Sequence, residues 1–200
     1  MRRLDKCLVV VIMLLIYLFA FLTLLYDEDF YTSLFIKTNV DLAQAKSLTK
    51  ELFILFKSND YSIPAVKTLT FKENSHIRDV KVLLTASVII FCFLLISAIV
   101  GLAGAKQRYK IFLYSCVLSI FLPILFFILN FYSLFNLFHL FFFPQGNWSF
   151  PQGTVLVSVY TLEFFQLFAA KILLLGEIIS CITLVCVIIF KVYYQQQQNI

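Results

Sequence analysis

The sequence predicts an all-α integral membrane protein: a bundle of four transmembrane helices with extracytoplasmic loops, one of them carrying an amphipathic interfacial helix. Three observations predict it. First, 62% of the 200 residues are hydrophobic and only 14% charged, with 24 phenylalanines and a mean hydropathy of +0.94. A soluble domain of this size could not bury that much apolar surface, so lipid must act as its solvent. Second, four runs, about residues 8–26, 80–105, 111–131 and 164–190, approach or exceed the roughly 20 apolar residues a helix needs to cross a hydrocarbon core. Third, Lys and Arg are distributed unevenly between the connecting segments. Helix is the conformation required, because backbone groups in lipid must pair within their own segment.

The first run follows Arg2, Arg3 and Lys6, in the manner of a signal peptide. It is too long for such an apolar region and no small-residue cleavage site follows it, so it reads as a retained anchor. The tight loop between the second and third runs carries Lys106, Arg108 and Lys110. The positive-inside rule places that loop (106–110) and both termini in the cytoplasm, with loops 27–79 and 132–163 outside. Residues 1–200 thus form a single membrane domain at the cell membrane, and any site on the large loops faces the extracytoplasmic side. Within the first outer loop, Val40–Lys57 has a helical pattern. Leu42, Ala45, Leu48, Leu52, Phe53 and Phe56 fall on or near one side, suited to the outer leaflet or to a lid packed on the bundle. Pro123 should kink the third span. The second outer loop holds Phe-Pro-Gln-Gly twice, at Phe143–Gly146 and Phe150–Gly153, a double turn with Trp148 between them at headgroup level. The tail Lys191–Ile200 reads as disordered surface.

The net charge of +5 is largely topological and does not cluster with aromatics along a groove, so nucleic acid is not a partner. The five cysteines lie within the spans or at their cytoplasmic edge, without metal-ligand spacing, and read as small buried apolar residues. No Gly-x-Ser-x-Gly elbow and no His-Glu-x-x-His occurs. Glu177, the one acid well inside a span, is either functional or bonded across the bundle. The two histidines are the first candidates for acid–base chemistry, since imidazole titrates near neutral pH. His76 precedes the second span by about one helical turn. His139 lies 28 residues after Ile111, about 42 Å along a continuous helix, which carries it to the outer interface. Glu73 and Asp79, three residues to either side of His76, can share its helix face, with Arg78 alongside. The alternative for this stretch is a solvated charge cluster anchoring a helix end.

Phe71–Lys81 (FKENSHIRDVK) resembles a signature of the lipoprotein intramolecular transacylases, integral membrane proteins of low-GC Gram-positive bacteria. Phe138–Phe142, Trp148–Pro151 and Glu163–Phe165 are similar to that family's second block, and length and span layout agree. The resemblance implies an acyltransferase that moves the sn-2 acyl chain of a diacylglyceryl lipoprotein onto the α-amine of its own N-terminal cysteine, giving an N-acylated lyso-lipoprotein. It implies His76 and His139 as catalytic residues, with Glu73, Arg78, Asp79, Trp148 and Glu163 in support. Diacylglyceryl lipoproteins and membrane lipids are the implied partners, and no metal or cofactor is implied. The chain departs from the family pattern at Asn130 and Tyr132, where acids are expected ahead of the second histidine, and at Thr154, where an Asp is expected. Two other classes share the outline: a non-enzymatic four-span scaffold and a bis-histidine haem protein.

Overall fold

The structure is a computed structural model that describes residues 2–58 and 66–198. Among these, all regular structure is helical: α1 (Arg3–Leu24), α2 (Glu28–Lys37), α3 (Leu42–Lys57), α4 (Phe71–Ala103), α5 (Arg108–Ser119), α6 (Phe121–Ile128), α7 (Phe131–Phe142), α8 (Val155–Val159) and α9 (Leu162–Gln198). Four stretches are long and apolar enough to cross a membrane: Arg3–Leu24, Phe71–Ala103, Arg108–Ile128 and Leu162–Tyr193. They match the four expected runs. The protein is a multi-pass membrane protein. The expected disordered tail is instead helical through Gln198, since Lys and Gln are adequate helix formers and simply extend α9; Asn199 and Ile200 lie outside the described residues.

The chain divides into two compact units, and α1, α4 and α9 contribute residues to both. The first unit draws on Met1–Thr23, Ile89–Ile128 and Ala170–Ile200. Its core gathers Leu8, Val9, Ile12 and Ile16 of α1 with Ala105 and Ile111. Two glycines let helices approach: a Cβ on Gly101 would lie 2.5 Å from Leu8, and one on Gly176 2.5 Å from the Tyr17 ring. At the C-terminus of α4, the Arg108 guanidinium donates to the Leu102 and Ala103 carbonyls at 2.8 and 3.1 Å, satisfying acceptors the helix leaves open.

Pro123 does more than kink its span: the helix breaks at Ile120, between α5 and α6. Proline has no N–H and its ring displaces the carbonyl four residues back, which here belongs to Ser119. That carbonyl accepts a hydrogen bond from the Tyr17 hydroxyl at 2.9 Å. The same hydroxyl, with one proton to share between two acceptors, also bonds Glu177 Oε1; Ser119 Oγ donates to Cys116 O at 2.8 Å and lies 3.5 Å from Glu177 Oε2. Glu177 therefore bonds across the helices of its unit.

The second unit comprises Leu24–Val88 and Leu129–Ala169. Asp27 caps α2 by accepting from Phe30 N at 2.8 Å, and Asp41 caps α3 by accepting from Ala43 N and Gln44 N. Between them Asn39 adopts a left-handed conformation (φ 52°). Val40 N then bonds Phe35 O and Asn39 N bonds Ile36 O, a paired arrangement that ends α2. The apolar face of α3 is covered by protein: Ala45, Leu48, Thr49, Leu52 and Phe53 are buried, whereas Leu42 stays exposed. Of the two expected roles, the packed one is observed. Tyr31, Phe35, Phe53, Phe164 and Phe168 interlock edge-to-face and stacked around it. Thr49 Oγ1 donates to Ala45 O, so Tyr160 donates its own hydroxyl to Thr49 at 2.8 Å.

Candidate active site

The second unit contains both histidines. The first turn of α4 is fixed by a reciprocal cap: Glu73 N donates to Thr70 Oγ1 at 3.2 Å, and Thr70 N donates to Glu73 Oε2 at 2.8 Å. The other Glu73 oxygen accepts from Leu156 N at 2.8 Å, tying α8 to the start of α4. The expectation that Glu73 supports His76 directly is thereby corrected. Its carboxylate, fully buried, is used at a helix terminus, where free backbone N–H groups and the helix dipole favour an anion. Asn74 joins the preceding turn, accepting from Val66 N and donating to the Val66, Leu69 and Thr70 carbonyls.

One turn further on, His76 is 8% exposed and His139 of α7 is 7% exposed. Their ring centroids lie 5.9 Å apart, with 31° between the planes. His139 reaches this position by a different route from the one expected. The chain does not run as one helix from Ile111: it breaks again before α7, where Asn130 Oδ1 accepts from Ser133 N as a new N-cap. Phe143 flanks both rings, at 4.7 Å from His76 and 5.6 Å from His139. Phe150 lies edge-to-face against His76 at 5.6 Å, and Trp148 lies 4.8 Å from His139. The walls of the site are aromatic and its centre is two imidazoles.

His139 Nδ1 lies 2.7 Å from Phe135 O, one turn back in α7. A carbonyl can only accept, so Nδ1 carries the proton and Nε2 of the neutral ring keeps its lone pair. Burial pushes the His139 pKa below the ordinary histidine value, partly offset by that carbonyl, so the ring is neutral at neutral pH.

The loop from Phe143 to Thr154 places the aromatic residues. The expected double turn is present: Gly146 N bonds Phe143 O and Thr154 N bonds Pro151 O, with Gly146 and Gly153 at φ 75° and 88°. No atom lies within 4 Å of a Cβ at either glycine, so backbone conformation alone requires them. Lys72 Nζ donates to Ser149 O at 2.6 Å and anchors the loop to α4. Asp79 accepts from Gln145 Nε2 at 2.7 Å and from Asn147 Nδ2 at 2.5 Å.

Of the expected supporting residues, Trp148 meets a histidine ring and Asp79 lies in the surrounding hydrogen-bond network. Arg78 and Glu163 are exposed. Thr70, Asn74, Gln145 and Asn147 went unforeseen. The Thr-x-x-Glu spacing at Thr70–Glu73 was a readable cap signal, whereas nothing local marks the three amides.

The chain matches the model of a protein family, the lipoprotein intramolecular transacylase Lit, over residues 6–165. The chain belongs to that family. It is also similar in fold to the solved structure of the membrane integral lipoprotein intramolecular transacylase Lit from Bacillus cereus, at 20% identity and a TM-score of 0.78, covering 98% of each chain. A second structure of that protein, carrying a histidine-to-arginine mutation, matches at 20% identity and a TM-score of 0.77, covering 96% of this chain and 94% of the other. Among curated proteins none matches. The protein is a transacylase acting on lipoproteins, which displaces the scaffold and haem-carrier alternatives. At the positions where this transacylase departs from the expected pattern, Asn130 caps α7, Tyr132 is 60% exposed, and Thr154 Oγ1 donates to Pro151 O.

Proposed function

We propose that His76 and His139 carry the transacylation as a proton-transfer pair at the extracytoplasmic face. The substrate amine attacks the sn-2 ester carbonyl of the same lipoprotein; the N–C bond forms and the glycerol C–O bond breaks. The reference pKa of an α-ammonium is about 7.7–8.0, so a neutral imidazole can accept one proton and supply the free amine. A second amine proton must then reach the departing glycerol oxygen, and the neighbouring ring delivers it. The amide product keeps one N–H, and the first proton returns to water. The transfer is redox-neutral and direct, so it needs neither an enzyme nucleophile nor a metal or diffusible cofactor.

The observation that supports this most is the pairing of His139, whose Nε2 is left bare by the Phe135 carbonyl, with a second buried imidazole 5.9 Å away. The aromatic walls suit an acyl chain and exclude water, which would otherwise compete for the ester. The outer-face assignment rests on the basic residues Arg2, Arg3 and Lys6 and on the 106–110 loop.

The test is mass spectrometry of the N-terminal peptide of a purified diacylglyceryl lipoprotein incubated with the transacylase. His76→Asn and His139→Asn should each stop formation of the N-acyl lyso form, and a near wild-type rate in either would remove that ring from the mechanism. For the face, a cysteine at exposed Gln152 should react with an impermeant maleimide in intact cells; labelling only after lysis would place the site in the cytoplasm.

A further inference from the structure

We infer that Asn147 is a positioning residue that fixes the tautomer of His76, keeping its proton on Nδ1 and leaving Nε2 as the basic nitrogen. This rests on the reading in which His76 takes part in proton transfer, and it explains how a ring without a fixed partner of its own acquires a defined role.

Asn147 Nδ2 donates to Asp79 Oδ2 at 2.5 Å and also reaches Ser75 Oγ at 3.3 Å. A carboxylate only accepts, so the amide group of Asn147 must present its NH₂ to Asp79 and turn its carbonyl the other way. Gln145 Nε2 donates to the same oxygen at 2.7 Å, which reinforces Asp79 as an acceptor-only centre. Among the described residues, Asn147 Oδ1 is buried and lacks a donor, while His76 Nδ1 is buried and lacks a partner. Its bonds to Ser75 and Asp79 hold the Asn147 side chain against the same turn of α4 that carries His76. Each orphan atom needs what the other offers.

The opposite tautomer would set a ring lone pair against a carbonyl lone pair in a buried site, where an unmatched polar group costs most. The flanking Phe143 and Phe150 rings supply no competing hydrogen-bond partner. Asp79 thus acts on His76 through Asn147. Both rings end in the same tautomer by different means: His139 through a carbonyl of its own helix, His76 through a loop amide whose orientation Asp79 dictates.

The experiment is ¹⁵N NMR of the histidine side chains in the full-length protein at neutral pH, alongside turnover. Wild type should show His76 protonated on Nδ1, with His139 as an internal reference in the same state. Asp79→Asn frees the Asn147 amide to flip, so His76 should shift to the Nε2–H form while His139 stays unchanged. Turnover should fall by about 10²-fold, the low end of general acid–base contributions, with little change in KM. The swapped pair Asp79→Asn with Asn147→Asp returns an acceptor to His76 at the same net charge, and should restore the Nδ1–H form and much of the rate. Asn147→Ala should leave the tautomers mixed. An Nε2–H tautomer in wild type, or one indifferent to Asp79→Asn and to Asn147→Ala, overturns the inference and leaves the role of His76 to be judged by His76→Asn. A tautomer that follows Asn147 without any change in rate upholds the inference and overturns the catalytic reading of His76.

Discussion

Glu177 and His76 are both titratable side chains among apolar helices, one in each compact unit, and their surroundings differ in kind. Glu177 meets the Tyr17 hydroxyl and Ser119 Oγ, and the same hydroxyl fills the Ser119 carbonyl that Pro123 releases. That cluster is closed: each polar group has a partner within the unit, with Ser119 Oγ donating to Cys116 O. Around His76 the walls are Phe143 and Phe150, Nδ1 has no partner among the described residues, and a second imidazole lies 5.9 Å away. That cluster is open. An acid within a membrane span is by default a functional suspect, yet here the closed cluster repairs a broken helix. The open one retains the capacity to move protons, so what separates a site from a brace is the polar capacity left over after packing.

The comparison breaks most readily at the histidines. His76→Asn and His139→Asn should each lower the rate of N-acyl lyso-lipoprotein formation by about 10²–10⁴-fold while the protein still folds; product formation and thermal melting of the detergent-solubilised variants check both halves. Glu177→Ala should do the reverse. Removing the carboxylate that shares the Tyr17 proton with the Ser119 carbonyl should cost about 1–3 kcal/mol of stability, read as a lower melting temperature, with the rate per folded molecule preserved. Glu177→Gln, which keeps the shape and the hydrogen-bonding capacity, should melt close to wild type. Loss of turnover at unchanged stability in Glu177→Gln would move that acid into the mechanism.

Sequence reading succeeded where the signal is continuous and failed where it is not. The four spans are long apolar runs, and both histidines sit within recognisable neighbours. Hydropathy does not register a helix break inside an apolar run, so the break at Ile120 was legible only as a kink at Pro123, and the one before Phe131 passed unseen although Asn130 was its local signal. Helix α2 was missed for want of a hydrophobic stripe, despite the capping Asp27 and the left-handed Asn39 that bound it. Glu73 was misassigned because spacing of three puts it on the same helix as His76, while the Thr-x-x-Glu cap claims its carboxylate. Asn147 has no local signature at all, since its meaning arises from a contact 68 residues away in sequence.

Smaller effects sharpen the picture. Because burial lowers the His139 pKa, the neutral, competent ring should persist below the reference value of about 6.5, and the rate should hold further into acid than an unperturbed histidine allows. Between the unfolded pKa near 6.5 and the lower folded one, the unfolded chain binds more protons, so stability falls as pH drops through that window. A pH–rate profile whose acid limb sits at or above about 6.5 would show that His139 is not the neutral base. Smallest of all, Arg78→Gln and Glu163→Gln should change stability by no more than about 0.5 kcal/mol and leave turnover near wild type, since both side chains are exposed.

The most direct test of the two-ring account compares His76→Asn, His139→Asn and the double variant in single-turnover conversion of one diacylglyceryl lipoprotein. Groups that act as one unit are lost together. The account predicts that the double variant is about as slow as the slower single variant. Losses that multiply, so that the double variant falls far below either single one, would mean that the two imidazoles act independently and would contradict a shared proton-transfer pair.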